Sequence, residues 1–339
     1  MIPPVHSEPN STGESVAWRH ELRCAIRNSR ELLEALGLQS DELFAECDDS
    51  AEFAVLVPHG FLARMRHGDP ADPLLLQVLA RRSEHSVVPG FVTDPLQERS
   101  LALDGVLQKY AHRALLIATA ACPIHCRYCF RRHFPYTDHL ATRARWSQAL
   151  ERLGQSRNIE EVILSGGDPL SLATHRLAEL VAGLEEIPTV TTLRIHTRFP
   201  IVVPSRVTAE FLGLLERTRL RTVVVVHSNH ANELNDESVH TALRSLARSA
   251  NLVLNQSVLL RGINDSVSTL RALSYALLDL RVSPYYLHLL DRVAGTAHFD
   301  VPETEAISLV EGLRQELPGY LVPQLVRESP GALSKRPVY

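Results

Sequence analysis

Cationic excess is missing from this 339-residue chain, in which 35 Lys and Arg stand against 39 Asp and Glu for a formal net charge of −4. With no global positive field to hold a polyanion, nucleic acid is not expected as a direct partner. Long apolar runs are missing too. The most β-branched stretch, Val223 to Val226, is far too short to cross a bilayer, so no membrane partner is expected. The first fifteen residues lack the charged start and apolar core that an export machinery reads, and a cytoplasmic location is expected. Cysteine is scarce, with five residues, an odd number, which argues against a disulfide framework. Three of the five crowd into Cys122 to Cys129, as metal ligands in a reducing compartment do. Cys24 and Cys47 lie apart and read as ordinary buried thiols. The remaining balance, 45% hydrophobic and 22% charged, is that of a globular protein with a large core.

Residues 1–14 read as a disordered tail and 15–100 as a helical N-terminal region. Trp18 to Leu38 and Leu75 to Ser83 carry apolar residues at helix-like spacing, and Pro58, Pro70, Pro73 and Pro89 break the region into short pieces. From about Arg113 a short β-branched run is repeatedly followed by a loop and a helix-period stretch. The runs are Ala114 to Thr119, Glu161 to Leu164, Thr192 to His196, Thr222 to His227, Leu252 to Val258 and Pro284 to Leu289. Most starts fall about thirty residues apart, one strand–helix unit. Such a pattern predicts a parallel sheet covered by helices. Six units are too few for an eight-stranded barrel, and the runs alone leave a partial barrel and an open doubly wound sheet equally admissible.

Ligand-type residues follow the C-terminal ends of these runs: Cys122, then Ser165-Gly166-Gly167-Asp168, then His196 and Arg198, His227 and Asn229, Gln256, and finally His288 and Asp291. In parallel α/β folds that edge binds ligands. Cys122, Cys126 and Cys129 form C-x3-C-x2-C directly after the first run. Three thiolates on one loop can hold three irons of a four-iron cluster and leave the fourth open. The competing reading is zinc held by three cysteines and His125 or His133.

This spacing, with Tyr128 just before the last cysteine, resembles the radical S-adenosylmethionine (SAM) superfamily. The resemblance implies a partial (βα)6 TIM-like barrel over residues 101–300 with a helical N-terminal extension, a [4Fe-4S] cluster on the three cysteines, and SAM cleaved to a 5′-deoxyadenosyl radical. An external electron donor such as flavodoxin or ferredoxin is implied as well. Ser165, Gly166, Gly167 and Asp168 resemble the motif that contacts the methionine amino group.

FRRHFPY after the cysteines, NQSVLLRGIND at Asn255 to Asp265, PYYLHLLDRVAGTAHF at Pro284 to Phe299, and the terminal GYLVPQLVRESPGALSKRPVY resemble the lysine 2,3-aminomutase family. That resemblance implies an isomerase acting on L-lysine with pyridoxal 5′-phosphate on Lys335, in a terminal segment 301–339 containing a helix and the pyridoxal-lysine loop. A neutral Lys335 amine is then expected, in surroundings that lower its pKa from roughly 10.4. Arg131 matches the arginine that binds the substrate carboxylate, while Asp291 and Glu328 match two acids that hold the distant ammonium. His227 and Gln256 align with SAM contacts, and Arg198 and Lys109 are candidates for the pyridoxal phosphate group. Ala332, Leu333 and Ser334 stand where the family has a glycine run. YCFRRHFPY resembles the branch that makes (R)-β-lysine for translation elongation factor P, attached by a separate lysyl ligase. The alternatives are a radical aminomutase for another amino acid and a non-catalytic metal-binding adaptor.

Overall fold

A computed structural model describes residues 13–48, 53–99, 102–103, 105–136 and 143–339. Ten strands form one sheet whose spatial order equals chain order. They are β1 (Ala102–Leu103), β2 (Val106–Tyr110), β3 (Arg113–Thr119), β4 (Glu161–Gly166), β5 (Thr192–Thr197), β6 (Arg221–His227), β7 (Leu252–Val258), β8 (Ser283–His288), β9 (Gln324–Arg327) and β10 (Arg336–Pro337). Strands β3 to β9 run parallel, and antiparallel pairs finish both ends.

Strand order settles the architecture that the runs left open. Right-handed crossovers that always step to the next strand place every helix on one face, whereas a doubly wound sheet reverses direction midway. A sheet covered on one face by helices curls around its other face. Its two ends do meet: Lys109 of β2 lies 2.7 Å from Glu328, the residue after β9. The partial barrel is therefore the fold, with β1, β2, β9 and β10 added to the six expected strands.

The strands form where β-branched residues can be buried from both sides. In β6, Val224, Val225 and Val226 are all fully buried, because helices cover one face and cavity residues the other. Each helix contributes an apolar stripe. Thr174–Glu185 buries Leu177, Leu180, Val181 and Leu184, and Glu237–Ser249 buries Val239, Ala242, Leu243 and Leu246, the 3.6-residue spacing of one face. Asp236 starts the second of these by accepting hydrogen bonds from the Ser238 and Val239 amides. Full burial of each leucine or valine contributes about 1.5–3 kcal/mol. Among the described residues no helix is long and apolar enough to cross a membrane.

The N-terminal region differs in detail from the sequence expectation. Helices span Gly13–Arg23 and Ser29–Ala35, so Gly13 and Glu14 are helical, and the rest of the expected tail lies outside the described residues. Between the helices, Ile26 pairs with Val57. Leu75 to Ser83 is not one helix but the end of a single turn, Pro73–Leu76, and the start of a 3-10 turn, Arg82–His85, because carbonyls between them bond elsewhere: Gln77 to the Arg127 amide and Ala80 to the Asp48 amide. Cys47 is buried, but Cys24 is exposed, contrary to its reading as a buried thiol.

Two glycines fix how β3 and β4 leave the sheet. A Cβ at Gly166, whose φ is +114°, would lie 2.6 Å from the Thr119 carbonyl oxygen, and one at Gly167 would lie 2.4 Å from that of Ala121. The Gly167 and Asp168 amides donate to those same two carbonyls at 2.7 Å. The obstruction is backbone and cannot swing aside. Gly167→Ala is therefore expected to destabilise the chain by about 1–3 kcal/mol, seen as a lower denaturant midpoint with an unchanged slope.

Candidate active site

A cavity of about 310 Å³ opens at the C-terminal ends of the parallel strands. It is lined by Cys122, Cys126, Cys129, Arg131, Ser165, Gly166, Gly167, Asp168, His227, Gln256, Asp291, Glu328 and Lys335, whereas Asn229 and His133, also noted in the sequence, do not reach it. Residues as far apart in the chain as Cys122 and Lys335, 213 positions, thus share one chamber, because most lie at or just beyond the C-terminal end of a strand of the same sheet.

The cysteine loop is held from the N-terminal side. Its His125 and Arg127 amides donate to the carbonyls of Leu56 and Gln77, at 3.2 and 2.8 Å. Arg127 is fully buried and donates to Glu84 through Nε at 2.8 Å, and Arg132 reaches the same carboxylate. Both guanidinium groups stack on Phe53, at 5.0 and 5.2 Å from its ring centre. Two buried cations need that carboxylate, since an unpaired buried charge is strongly destabilising. The N-terminal region is therefore a cradle for the loop.

Both histidines weighed for zinc hold backbone carbonyls. His125 donates through Nδ1 to the Ala54 carbonyl at 2.7 Å, and burial lowers its pKa to about 4. His133 Nε2 lies 3.2 Å from the Ala294 carbonyl. Burial, reinforced by the neighbouring Cys126, pushes the Cys129 thiol up to about 11, and burial raises Cys122 as well. Such thiols give up their protons when a metal centre replaces them. Among the described residues no three His, Cys, Asp or Glu side chains converge as a single ion requires, whereas a cluster gives each thiolate its own iron. This donor set fits a cluster.

Asp168 ties the exits of β4 and β5 together. It accepts from the Arg198 amide at 2.6 Å, from Thr197 Oγ1 at 2.8 Å and from the Leu170 amide at 3.0 Å, while burial pushes its pKa up to about 6. Arg198 departs from the sequence expectation of a phosphate partner. Its guanidinium instead donates to Cys126 Sγ at 2.7 Å and to Glu233 at 2.6 Å. His227 Nε2 lies 3.1 Å from Tyr128 Oη, and burial, together with Arg198, lowers its pKa to about 3.

Five alternating charges cross the cavity. Arg131 donates to Glu98 through Nε at 2.6 Å and Nη2 at 3.1 Å. Lys109 sits 2.8 Å from Glu98 and 2.7 Å from Glu328, and Lys335 Nζ lies 2.5 Å from the other Glu328 oxygen. Burial opposes ionisation of Glu328, but Lys335 and then Lys109 outweigh it and hold the pKa well below the carboxylate range. Lys109, like Arg198, is thus committed to carboxylates and not left for a phosphate. Lys335, expected from the sequence as a neutral amine, is paired with the Glu328 carboxylate. Asp291 has no ion pair among the described residues, and burial, together with repulsion by Glu328, pushes it up to about 7 against the pull of Lys335 and Lys109.

Glu84, Glu98 and Arg113 were not found from the sequence. Arg113 shares the cavity-facing side of β3 with Leu115, a period-two signal that the sequence does carry. It stacks on Tyr110 at 4.7 Å and has no carboxylate partner among the described residues. His196 also lines the cavity, and its buried Nε2 has no hydrogen-bond partner among the described residues.

A thiol trio after the first parallel strand of an open barrel, with Gly-Gly-Asp after the second, defines a radical SAM protein, and residues 116–266 match the Radical SAM superfamily model. The chain is 45% identical over 322 residues to L-lysine 2,3-aminomutase of Escherichia coli K12, covering 95% of this chain and 94% of that protein. It is 43% identical to the enzyme of the same name from Haemophilus influenzae, covering 95% of each. Against that of Clostridium subterminale it is 34% identical, covering 95% of this chain and 77% of the other. The chain belongs to the L-lysine 2,3-aminomutase family, isomerases that use a [4Fe-4S] cluster, SAM and pyridoxal phosphate.

Glu98 is the test of the ionic chain. Glu98→Ala leaves Arg131 and Lys109 facing each other across a buried gap, and a loss of about 3–5 kcal/mol in denaturant unfolding is expected.

Proposed function

We propose that this chain moves the α-amino group of L-lysine to the β carbon, giving (R)-β-lysine, in the cytoplasm, and that a separate lysyl ligase attaches the product to translation elongation factor P. One observation carries the reaction: a single cavity gathers three thiols, a lysine amine, an arginine and two acids. The elongation-factor link is supported by the Tyr128 to Tyr136 string, which resembles that branch of the family.

When bound, the cluster with SAM supplies a carbon radical, and pyridoxal phosphate supplies a carbonyl able to hold an amino nitrogen. Cys122, Cys126 and Cys129 would hold the cluster, fed by a flavodoxin- or ferredoxin-type donor. Ser165, Gly166, Gly167, Asp168, His227 and Gln256 would line the SAM side. Lys335 would carry the pyridoxal, and Arg113, a cavity cation with no carboxylate partner among the described residues, fits its phosphate. Glu98 takes Nε and one Nη2 donor of Arg131 and Nη1 donates to Ser165, so this guanidinium would meet the substrate carboxylate through its remaining Nη hydrogens. Glu328 and Asp291 would hold the far ammonium. Two acids there select a long basic substrate and repel an acidic one. The buried His196 and His288 have pKa values well below the usual imidazole range, lowered by burial and by nearby cations. They stay neutral and leave this charge pattern undisturbed.

The reading is checked by incubating reduced, iron-reconstituted enzyme with lysine, SAM and pyridoxal phosphate. β-Lysine is expected, and its absence at every lysine concentration would reject the reaction. Lys335→Ala is expected to abolish both the product and the visible absorbance of bound pyridoxal; an unchanged spectrum would remove Lys335 from this role.

A pH profile tests Asp291. Its carboxyl must be ionised to hold an ammonium, and its pKa stands near 7, so kcat/KM for lysine should rise with pH through about 7 and level off above. Asp291→Asn should erase that rise and remove about 1.5–3 kcal/mol of binding, roughly a 10- to 100-fold loss in kcat/KM.

A further inference from the structure

We propose that Arg198 is a positioning residue at Cys126 that raises the reduction potential of the cluster. The proposal rests on the reading of Cys122, Cys126 and Cys129 as cluster ligands. Among the described residues, Cys126 is the one member of the trio whose sulfur receives a guanidinium N–H, from Arg198 Nη1 at 2.7 Å. The same nitrogen lies 3.1 Å from Tyr128 Oη, and Nη2 donates to Glu233 at 2.6 Å.

Glu233 is fully buried and is itself fixed. Its Oε1 accepts from the Asn229 amide at 2.8 Å, the His230 amide at 3.1 Å and Gln77 Nε2 at 3.2 Å. The guanidinium is therefore held from three directions and cannot turn from the sulfur. Its Nε–H is buried as well and has no acceptor among the described residues. That is the state of a donor reserved for a group that joins the thiolates.

On reduction the cluster gains one electron from an external one-electron donor and becomes more negative. A fixed positive charge donating to a ligand sulfur favours that state, so its removal makes reduction harder. Arg198 stays charged throughout, and no proton moves.

The test is a dithionite titration of the reconstituted full chain, followed by electron paramagnetic resonance, without SAM, lysine or pyridoxal phosphate. Arg198→Gln is expected to keep its iron and shift the potential to more negative values, and Arg198→Lys, which keeps the charge but loses the fork, should fall between it and the native chain. An unchanged potential in Arg198→Gln at full iron content overturns the proposal. So does loss of iron from both variants at an unchanged melting temperature, which would make Arg198 a support for the loop alone. Should Arg198→Gln not fold, Arg198→Lys decides by the same sign. Failure to make β-lysine with the shift intact rejects the lysine reading only, whereas a native chain that takes up no iron rejects the cluster and this proposal together.

Discussion

The ammonium of Lys109, seated between the carboxylates of Glu98 and Glu328, joins the two ends of an open sheet. Seven parallel strands curl but do not close by strand pairing. The seam is spanned instead by charges that have left bulk water. Each is tolerable only because its neighbours carry the opposite sign, so the chain from Arg131 to Lys335 stands as a unit. An ionic seam also leaves the interior polar at the height where the parallel strands end, the edge at which this class of fold binds its ligands.

Opposite the seam, the cysteine loop is set by backbone contacts as much as by side chains. Glycines at 166 and 167 let β4 press on the exit of β3, and Asp168 fastens that exit to β5. The loop that follows β3 is then gripped from below through Glu84, Gln77 and Leu56. Three thiols spaced four and three residues apart thus line one cavity.

Much of this was legible because it is local. Cysteine spacing, the Gly-Gly-Asp turn and the six β-branched runs are short patterns with a direct physical reading, and all fall where the strands end. What was not legible is long-range pairing. Lys109 meets Glu328 across 219 positions, and Glu98 meets Arg131 from a segment without strand or helix periodicity. Nothing near either residue announces its partner. Arg198 shows the same limit from the other side: its place after β5 fixed its height in the barrel, but not that it would turn toward Cys126. The strands β2 and β9 were passed over because each is short and mixed in polarity, with burial set by neighbours and not by composition.

Glu84 and Glu98 both precede the first strand, yet one steadies the cysteine loop and the other completes the ionic seam. The leading segment is therefore not an accessory that could be exchanged between relatives. Any lineage that replaced it would inherit three stranded guanidinium groups, on Arg127, Arg131 and Arg132, and would have to rewrite the barrel's own rim to survive the trade.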